Sequence, residues 1–356
     1  SSLMNLQRHN TTRYLHPNLY EWPAPGSEHP RSELPLMNWH AGHSNDVVGQ
    51  LDKEVAKTIS DYSGAPPVTN WTISDIEFER STRTYVLVSD DQPPRNGFDV
   101  VVVAIGFGVE LPHKFPLPIN GYWDNHPIKR VGRFSSGNPG SVLVSGCGDG
   151  ALIDVLRATF DQFEHDKILQ LVPELLDQEL KDKLLKVESD AQSQYMTMDA
   201  DSFLFTTEYE QLLKHIRLSD NVKSRLDRAV KVTFNSPRAG VFQLRTSILN
   251  RVLVQLLVSN KLIAFRHGKV VDVDPLSAKD SANDRYRIKW KTRSEEFDEV
   301  ILRFGVSPER HFRSQLPDIF AAGESTFERI ANLEIRSSVT ADLGRVLDER
   351  RSRWKA

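Results

Sequence analysis

Residues 141–160 combine an apolar run, a cluster of glycines and a helix-like segment, an arrangement that can cradle phosphate groups. The spacing is Gly146-x-Gly148-x-x-Ala151. In this pattern the first glycine allows a tight turn, the second lets the backbone approach a pyrophosphate, and the alanine permits close helix–strand packing. The N-terminus of the helix offers free N–H groups and a positive dipole end. The candidate cofactor-binding residues of the turn are Gly146, Cys147, Gly148, Asp149, Gly150 and Ala151.

Three interpretations of this turn remain open: a dinucleotide site, a site for S-adenosylmethionine, and a turn kept only for packing. A ribose-binding acidic residue usually follows such a turn by about 20 residues, and it has no clear counterpart here. The charge of Asp149 would also oppose a diphosphate unless its side chain points away. A methyl-donor site should be followed by a strand ending in an acidic residue, whereas helical charged sequence follows. The pattern therefore favours the dinucleotide.

Cys147 is the only cysteine of the 356-residue chain, so neither a disulfide nor a redox Cys-x-x-Cys pair can form. A helix N-terminus can lower the pKa of a thiol, but a small side chain that fills space is the preferred interpretation of Cys147. His40 and His43 have helical ligand spacing with no further ligand evident nearby. They predict surface or capping histidines, and we expect no metal site.

The elements that would position the turn occur in an order that repeats. A predicted helix is followed by two strand-like runs and a strongly apolar strand, and the same order recurs later in the chain. The first set comprises 44–62, 71–79, 82–89 and 98–108, and the second comprises 246–260, 261–274, 285–292 and 297–305. We therefore predict an α/β fold of two Rossmann-like units, each with a three-stranded β-meander. The strand, glycine turn and helix of 141–160 open the second unit, and an equivalent piece would precede residue 1.

The segment 161–235 is charged, mostly helical in pattern, and much longer than an ordinary crossover connection. Its apolar stripe predicts helix-on-helix burial. The stripe comprises Ile168, Leu169, Leu171, Val172, Leu175, Leu176, Leu180, Leu184 and Leu185. We interpret the segment as a helical insertion that serves either as a lid over the cofactor cleft or as a surface for a homodimer or another protein partner.

The stretch "DVVVVAIGFG", followed by "YWDNHPI" and the glycine turn, resembles the middle of a bacterial FAD/NAD(P)-binding oxidoreductase of the two-dinucleotide-binding flavoprotein superfamily. "RYLHPNLYEWP" and "LPDIFAAGE" resemble further parts of such proteins. The resemblance implies NAD(P) on the glycine turn and FAD on a first fingerprint that this sequence does not contain. The residues it assigns near FAD are Ile105, Gly106, Phe107, Gly323 and Glu324. His16, Pro17 and Trp22 lie in a loop crowded with aromatic residues and prolines, a composition that suits either the wall of a flavin or substrate pocket or a loop that packs on its neighbours.

The domains implied are 1–135, an incomplete FAD-binding-like domain, 136–310, an NAD(P)-binding-like domain, and 311–356, a segment returning to the first. Arg238, Arg245 and Arg251 are arginines near the expected cleft that could meet a phosphate.

Composition sets the class of protein. The net charge of -3 gives no general attraction to nucleic acid or anionic lipid, and no apolar stretch is long enough to cross a bilayer. We expect a cytoplasmic protein.

The function predicted is transfer of hydride from NAD(P)H through flavin to an acceptor that is not a disulfide. The alternatives are a non-catalytic Rossmann-type nucleotide-binding or protein-interaction module and, third, an S-adenosylmethionine-dependent methyltransferase.

Overall fold

The structure is a computed structural model in which the chain forms two compact units. One unit comprises residues 1–67 and 108–307, and the other comprises residues 68–107 and 308–356. The structure describes residues 9–34, 37–62, 71–102, 114–117, 121–124, 139–195, 202–237, 243–244, 246–276 and 285–305. The predicted domain boundaries at residues 135 and 310 remain predictions.

The described residues contain seven α-helices, two 3₁₀ turns and twelve strands. The helices are α1 (Ser44–Tyr62), α2 (Asp149–Thr159), α3 (His165–Leu171), α4 (Gln178–Tyr195), α5 (Ser202–Leu213), α6 (Asp220–Ser224) and α7 (Ile248–Ser259), with 3₁₀ turns at Leu19–Glu21 and Pro173–Leu176. The strands are β1 (Tyr14–Leu15), β2 (Gly42–His43), β3 (Asp75–Glu79), β4 (Thr84–Val88), β5 (Arg95–Phe98), β6 (Gly140–Ser145), β7 (Val230–Ser236), β8 (Ala264–His267), β9 (Asp272–Pro275), β10 (Tyr286–Lys289), β11 (Ser294–Phe297) and β12 (Glu299–Leu302).

The larger unit is built on a four-stranded parallel sheet in the order β12-β6-β7-β8. Strand β6 has a partner on each side, and Val142, Leu143 and Val144 in it are fully buried. Val142 and Val144 pack in one cluster with Leu152 of α2 and Val252 of α7, while Leu143 joins a separate cluster with the β9–β11 meander. A strand covered on both faces needs a continuous apolar run. The prediction of a strand ahead of the glycine turn is confirmed as β6.

The prediction that residues 230–235 end the helical insertion is wrong, because these residues form strand β7. Val232 and Phe234 are buried in the cluster that contains α2 and α7. Val142 of β6 lies opposite Val232 in the parallel register. The run is short, carries Lys231, and follows a long helical segment, so its β-branched and aromatic residues did not stand out. The insertion between α2 and β7 therefore ends before residue 230.

The order of elements predicted for 246–305 is confirmed with two boundary changes. The predicted strand 261–274 is two strands, because β8 belongs to the parallel sheet and β9 to an antiparallel meander ordered β11-β10-β9. Between them Gly268 has a φ of 133°, a conformation that only glycine adopts readily. The predicted strand 297–305 is likewise divided between the end of β11 and β12, which returns to the sheet beside β6.

The smaller unit contains a second antiparallel meander, ordered β3-β4-β5. Strands β3 and β4 lie within the predicted runs 71–79 and 82–89. The predicted buried strand 98–108 is wrong over residues 99–102, because β5 ends at Phe98 and the side chains of Val100 and Val102 are 74% and 83% exposed. Residues 103–108 and the segment 311–356 lie outside the described residues. In the larger unit, the predicted helix 44–62 is confirmed as α1.

The helical insertion packs into the core of the larger unit, which confirms helix-on-helix burial of its apolar stripe. Most of the described stripe is buried, and Leu176 and Leu185 are the exposed members at 42% and 38%. The hydroxyl of Tyr209 in α5 donates a 2.6 Å hydrogen bond to Glu188 in α4. Arg251 in α7 donates to the other carboxylate oxygen of Glu188 at 3.0 Å. This buried network ties the insertion to the helix that follows β7.

Among the described residues, no helix is both long enough and apolar enough to span a membrane.

Candidate functional site

The glycine turn leaves the carboxyl end of β6 and closes tightly against the backbone that follows β12. Gly146 has a φ of 148°, and a Cβ built on it would lie 2.3 Å from the carbonyl oxygen of Arg303. Its N–H donates to the carbonyl of Asn235 at the end of β7. Ala151 is fully buried, and its Cβ would lie 3.1 Å from a Cβ on Gly146. The fold itself therefore requires a glycine at 146 and a small residue at 151.

Gly148 is different, because nothing in the described fold requires a glycine there. It is the N-cap of α2, with φ −85° and ψ 171°, a conformation open to any residue. A Cβ built on it meets no described atom within 4 Å. A glycine that neither backbone conformation nor packing explains is a position where a ligand can approach the backbone.

Gly150, in the first turn of α2, is covered by an aromatic ring. A Cβ on Gly150 would lie 3.0 Å from the ring of Tyr122. The guanidinium of Arg13 stacks on the same ring, 3.8 Å from its centroid. Protein therefore covers the turn on the side of Gly150, whereas no described atom covers it at Gly148.

The side chain of Asp149 is engaged by the N-terminus of α7. Its Oδ1 accepts hydrogen bonds from the backbone N–H of Ser247 at 2.9 Å and from the side-chain amide of Asn250 at 2.8 Å. Burial raises the pKa of Asp149, although these two hydrogen bonds favour its charged form. The positive end of the α7 dipole faces this carboxylate. The expected repulsion between Asp149 and a diphosphate is thereby reduced.

Cys147 is buried, and its Sγ accepts a 2.8 Å hydrogen bond from the side-chain amide of Gln243. A covered thiol is poorly placed to act as a nucleophile. The structure therefore favours the interpretation of Cys147 as a small side chain that fills the turn.

Asn235, at the carboxyl end of β7, stands where a ribose-binding acidic residue would be sought. The insertion displaces this strand end to more than 80 residues after the turn, so the usual spacing of about 20 residues could not find it. Its side chain accepts from the hydroxyl of Ser145 at 2.7 Å and donates to the carbonyls of Arg266 and Gly268, both at 2.9 Å. Asn235 thus ties three segments together, and no acidic side chain ends this strand.

Beneath the turn, α2 carries a fully buried carboxylate surrounded by arginines. Asp154 binds Arg13 at 2.6 Å, Arg303 at 2.7 Å and Arg157 at 3.3 Å. Burial opposes ionisation of Asp154, but the facing guanidinium groups outweigh it and hold the pKa of the carboxyl below its usual value. Arg303 thus contacts the turn through its carbonyl and α2 through its side chain. The cluster fixes the glycine turn, the opening segment and the end of β12 to one another.

Replacing Asp154 with asparagine is expected to destabilise the larger unit by about 3–5 kcal/mol, because it leaves buried arginines without their counter-ion. In the wild type, the stabilisation from Asp154 is complete above about pH 4, the pKa of an unfolded aspartate. It is lost as the pH falls through the lower pKa of the folded state. Urea unfolding of both proteins from about pH 3 to about pH 7, a range that spans the ordinary aspartate pKa, checks this. An Asp154→Asn variant as stable as wild type at neutral pH would show that the cluster is dispensable.

The opening segment contributes residues to a small cavity beside Asp149 that has room for about one water molecule. Its walls come from the opening segment (Tyr14, His16, Leu19 and Tyr20), from His165 at the start of α3, and from Ser247, Leu249 and Asn250 at the start of α7. His16 lines this cavity, and its assignment to a flavin or substrate pocket stays a prediction. Trp22 and Pro17 are not among the lining residues. Trp22 is instead fully buried in the cluster that contains α2 and α7, where it packs as a core residue.

Several predicted site residues lie outside the described residues, namely Ile105, Gly106, Phe107, Gly323, Glu324, Arg238 and Arg245. The interpretation of Arg251 as a phosphate ligand is wrong, because Arg251 is buried and paired with Glu188.

Among the described residues, no group of three or more histidine, cysteine, aspartate or glutamate side chains could hold a metal ion. His165 and Asn250 were not predicted from the sequence, because they are 85 residues apart and no local pattern marks either of them.

No protein-family model matches the chain, and no curated protein matches it. Among solved structures, bacillithiol disulfide reductase from Staphylococcus aureus is 9% identical with a TM-score of 0.42, covering 88% of this chain and 68% of its own. The FAD-bound cadaverine monooxygenase of desferrioxamine biosynthesis from Erwinia amylovora is 11% identical with a TM-score of 0.32, covering 76% and 58%. A thioredoxin reductase from Gloeobacter violaceus is 8% identical with a TM-score of 0.21, covering 89% and 72%. Similarity at this level assigns no activity.

Proposed function

We propose that the protein is an FAD- and NAD(P)-dependent oxidoreductase that binds NAD(P)H at the glycine turn 146–151. The observation that carries this proposal is Gly148, at the N-terminus of α2, because no described residue requires a glycine there. The strand order supports it, because ligands of open parallel sheets bind outside the carboxyl ends of the strands. The turn leaves β6 at that edge, between β7 and β12.

In this proposal the backbone N–H groups at the start of α2 hold the pyrophosphate, and the helix dipole favours its charge. Gly148 provides the space, while Asp149 is held by Ser247 and Asn250. The ribose has no acidic partner at the end of β7, since Asn235 is engaged with the backbone of residues 266 and 268. The same absence applies to the ribose of NAD and to that of S-adenosylmethionine, so it does not separate the two ligands.

The resemblance carries the proposal of FAD, which supplies the two-electron chemistry between nicotinamide and acceptor. Ile105, Gly106, Phe107, Gly323 and Glu324 are the residues it assigns to the flavin. With a single, buried cysteine, the chain offers no dithiol to pass electrons onward. We therefore propose oxygen or a small organic molecule as the acceptor.

Two measurements test the proposed function. Calorimetry is expected to show binding of NADPH or NADH and none of S-adenosylmethionine. The absorption spectrum of the purified protein, with FAD added, is expected to show a bound flavin that is bleached by the bound nicotinamide nucleotide. Binding of S-adenosylmethionine alone would refute the proposal. Binding of NAD(P)H without any bound flavin would reduce it to a nucleotide-binding module.

A further inference from the structure

The start of α2 has two backbone N–H groups that donate to no described residue. The first hydrogen bonds of the helix run from the N–H groups of Ala151 and Leu152 to the carbonyl of Gly148. The N–H groups of Asp149 and Gly150 come before them and have no acceptor among the described residues. These are the groups that the proposed function gives to the pyrophosphate. A carboxylate in the same turn of the helix is attracted to them as well.

Asp149 carries such a carboxylate, and the N-terminus of α7 holds it away from its own helix. Its Oδ1 accepts hydrogen bonds from the N–H of Ser247 at 2.9 Å and from the side-chain amide of Asn250 at 2.8 Å. In the described part of the chain, no hydrogen bond joins this carboxylate to an N–H group of α2. The contacts with α7 therefore leave the first N–H groups of α2 available to a ligand.

The orientation of the Asn250 amide depends on His165. Nε2 of His165 lies 2.6 Å from Oδ1 of Asn250. Because the amide nitrogen donates to Asp149, the amide oxygen is the acceptor for His165, and the proton of the ring is on Nε2. Burial lowers the pKa of His165 to about 4, so the ring donates this hydrogen bond without a charge at neutral pH. Without this donor, the amide could turn its oxygen towards the carboxylate.

The core of the larger unit fixes the position of Asn250. The residue is buried, and its neighbours Leu249 and Val252 on α7 pack in the same hydrophobic cluster as α2. A buried amide needs partners for both its oxygen and its nitrogen, and His165 and Asp149 supply them. The three side chains thus link α3, α7 and α2 by hydrogen bonds of defined direction.

We propose that Asn250 and His165 are positioning residues of the nucleotide site. They hold the charge of Asp149 against α7 and thereby keep the first N–H groups of α2 free for an anionic ligand. This inference rests on the proposed function, because it takes the pyrophosphate of NAD(P)H as the anion. If the two residues served stability alone, their effect on binding would not depend on the charge of Asp149. If they position that charge, it must.

A double-mutant cycle between Asp149 and Asn250 separates the two roles. Asn250→Leu keeps the size of the side chain and removes both hydrogen bonds. We expect it to weaken binding of NAD(P)H to the full chain by about tenfold, because the released carboxylate competes with the pyrophosphate. Asp149→Asn removes the charge and is expected to tighten binding by about threefold. In the Asp149→Asn background, Asn250→Leu should change the affinity by less than about twofold.

Gln255→Leu is the matched control. Gln255 is buried on the same helix, and its amide donates to the hydroxyl of Ser259 at 3.0 Å. Its replacement removes a buried amide of α7 that makes no hydrogen bond to Asp149, so we expect NAD(P)H to bind as tightly as to wild type. Calorimetry at neutral pH measures the affinities, with whichever of NADPH and NADH binds the wild type more tightly.

Substitutions of His165 test the second positioning residue and leave Asn250 in place. His165→Phe keeps an aromatic ring beside Phe163 and removes the donor. It is expected to weaken binding of NAD(P)H by about fivefold, the effect of one neutral hydrogen bond. His165→Gln keeps an N–H group near the position of Nε2 and should restore most of the affinity. The loss in His165→Phe should also disappear in the Asp149→Asn background.

The outcomes distinguish this inference from the proposed function. Asn250→Leu that binds NAD(P)H like wild type, or a loss that persists in the Asp149→Asn background, would overturn the positioning role. If Asn250→Leu does not fold, the His165 variants decide by the same criterion. In each of these cases Gly148→Val should still abolish binding, and the nucleotide site would stand. A wild-type protein that binds neither NADPH nor NADH would overturn the proposed function and this inference together.

Discussion

Replacing Gly148 with valine is expected to abolish binding of NAD(P)H while leaving the protein folded. The substitution places a branched side chain in the space at the N-terminus of α2, where no described atom lies within 4 Å of a Cβ. Blocking the N–H groups that would bind the pyrophosphate should weaken binding by about 100-fold or more. The fold should lose only about 1 kcal/mol, because valine is a poor N-cap. Calorimetry with NADPH and NADH, together with thermal unfolding, measures both effects.

Gly146→Ala is the matched control, because we expect it to lower the stability of the fold, whereas Gly148→Val is expected to block binding. Its Cβ would collide with the carbonyl oxygen of Arg303, and its φ of 148° is unfavourable for alanine. We expect a loss of about 3 kcal/mol or more, equivalent to about 6–12 °C in Tm. If Gly148→Val bound NADPH as tightly as wild type, the nucleotide would not lie at this turn. If Gly148→Val lowered Tm as much as Gly146→Ala, Gly148 would be needed by the fold.

The elements of the larger unit that could be predicted from the sequence are those whose residues form a local pattern along the chain. Strand β6, its glycine turn and α2 follow one another without interruption, and each has its own signal in apolar run, glycine spacing and helical stripe. The meander of β9–β11 also follows from alternation along the chain. The position of Asn235 could not be predicted in this way. The rule that places a ribose-binding residue about 20 residues after the turn assumes an ordinary crossover, and it fails across a long insertion.

The site residues that were missed depend on contacts between distant segments. The partner of Asp149 is Asn250, about 100 residues later, and no sequence pattern near either residue predicts this contact. The same holds for Asn250 and His165. Trp22 was assigned to a pocket wall from its aromatic neighbours, yet it is fully buried in the core. Composition shows which side chains a loop offers, whereas the packing of other elements decides which of them reach a cavity.

Replacing residues 173–213 with a short Gly/Ser linker is expected to prevent the larger unit from folding. These residues comprise the second 3₁₀ turn, α4 and α5, and Leu175, Leu184, Tyr209 and Leu213 in them are buried in the same cluster as α2 and α7. Each large side chain lost from a core costs about 2–5 kcal/mol. Four of them together cost about 8–20 kcal/mol, which is comparable to the whole stability of an ordinary domain, about 5–15 kcal/mol. Arg251 would also be left buried without Glu188.

The result separates a core element from the lid or partner surface predicted from the sequence, since removal of a lid leaves the sheet folded. The matched control is the double substitution Leu176→Ser and Leu185→Ser, which changes the exposed leucines of the stripe and leaves its buried ones intact. We expect this control to lower the unfolding temperature by only a few degrees, because the two side chains are partly exposed and lose less contact than the buried ones. If the insertion also mediates a homodimer through its exposed face, the control lowers the mass measured by light scattering. A linker variant that still unfolds cooperatively at the wild-type temperature would contradict the assignment of α4 and α5 to the core, and the insertion would then be a separate, removable layer.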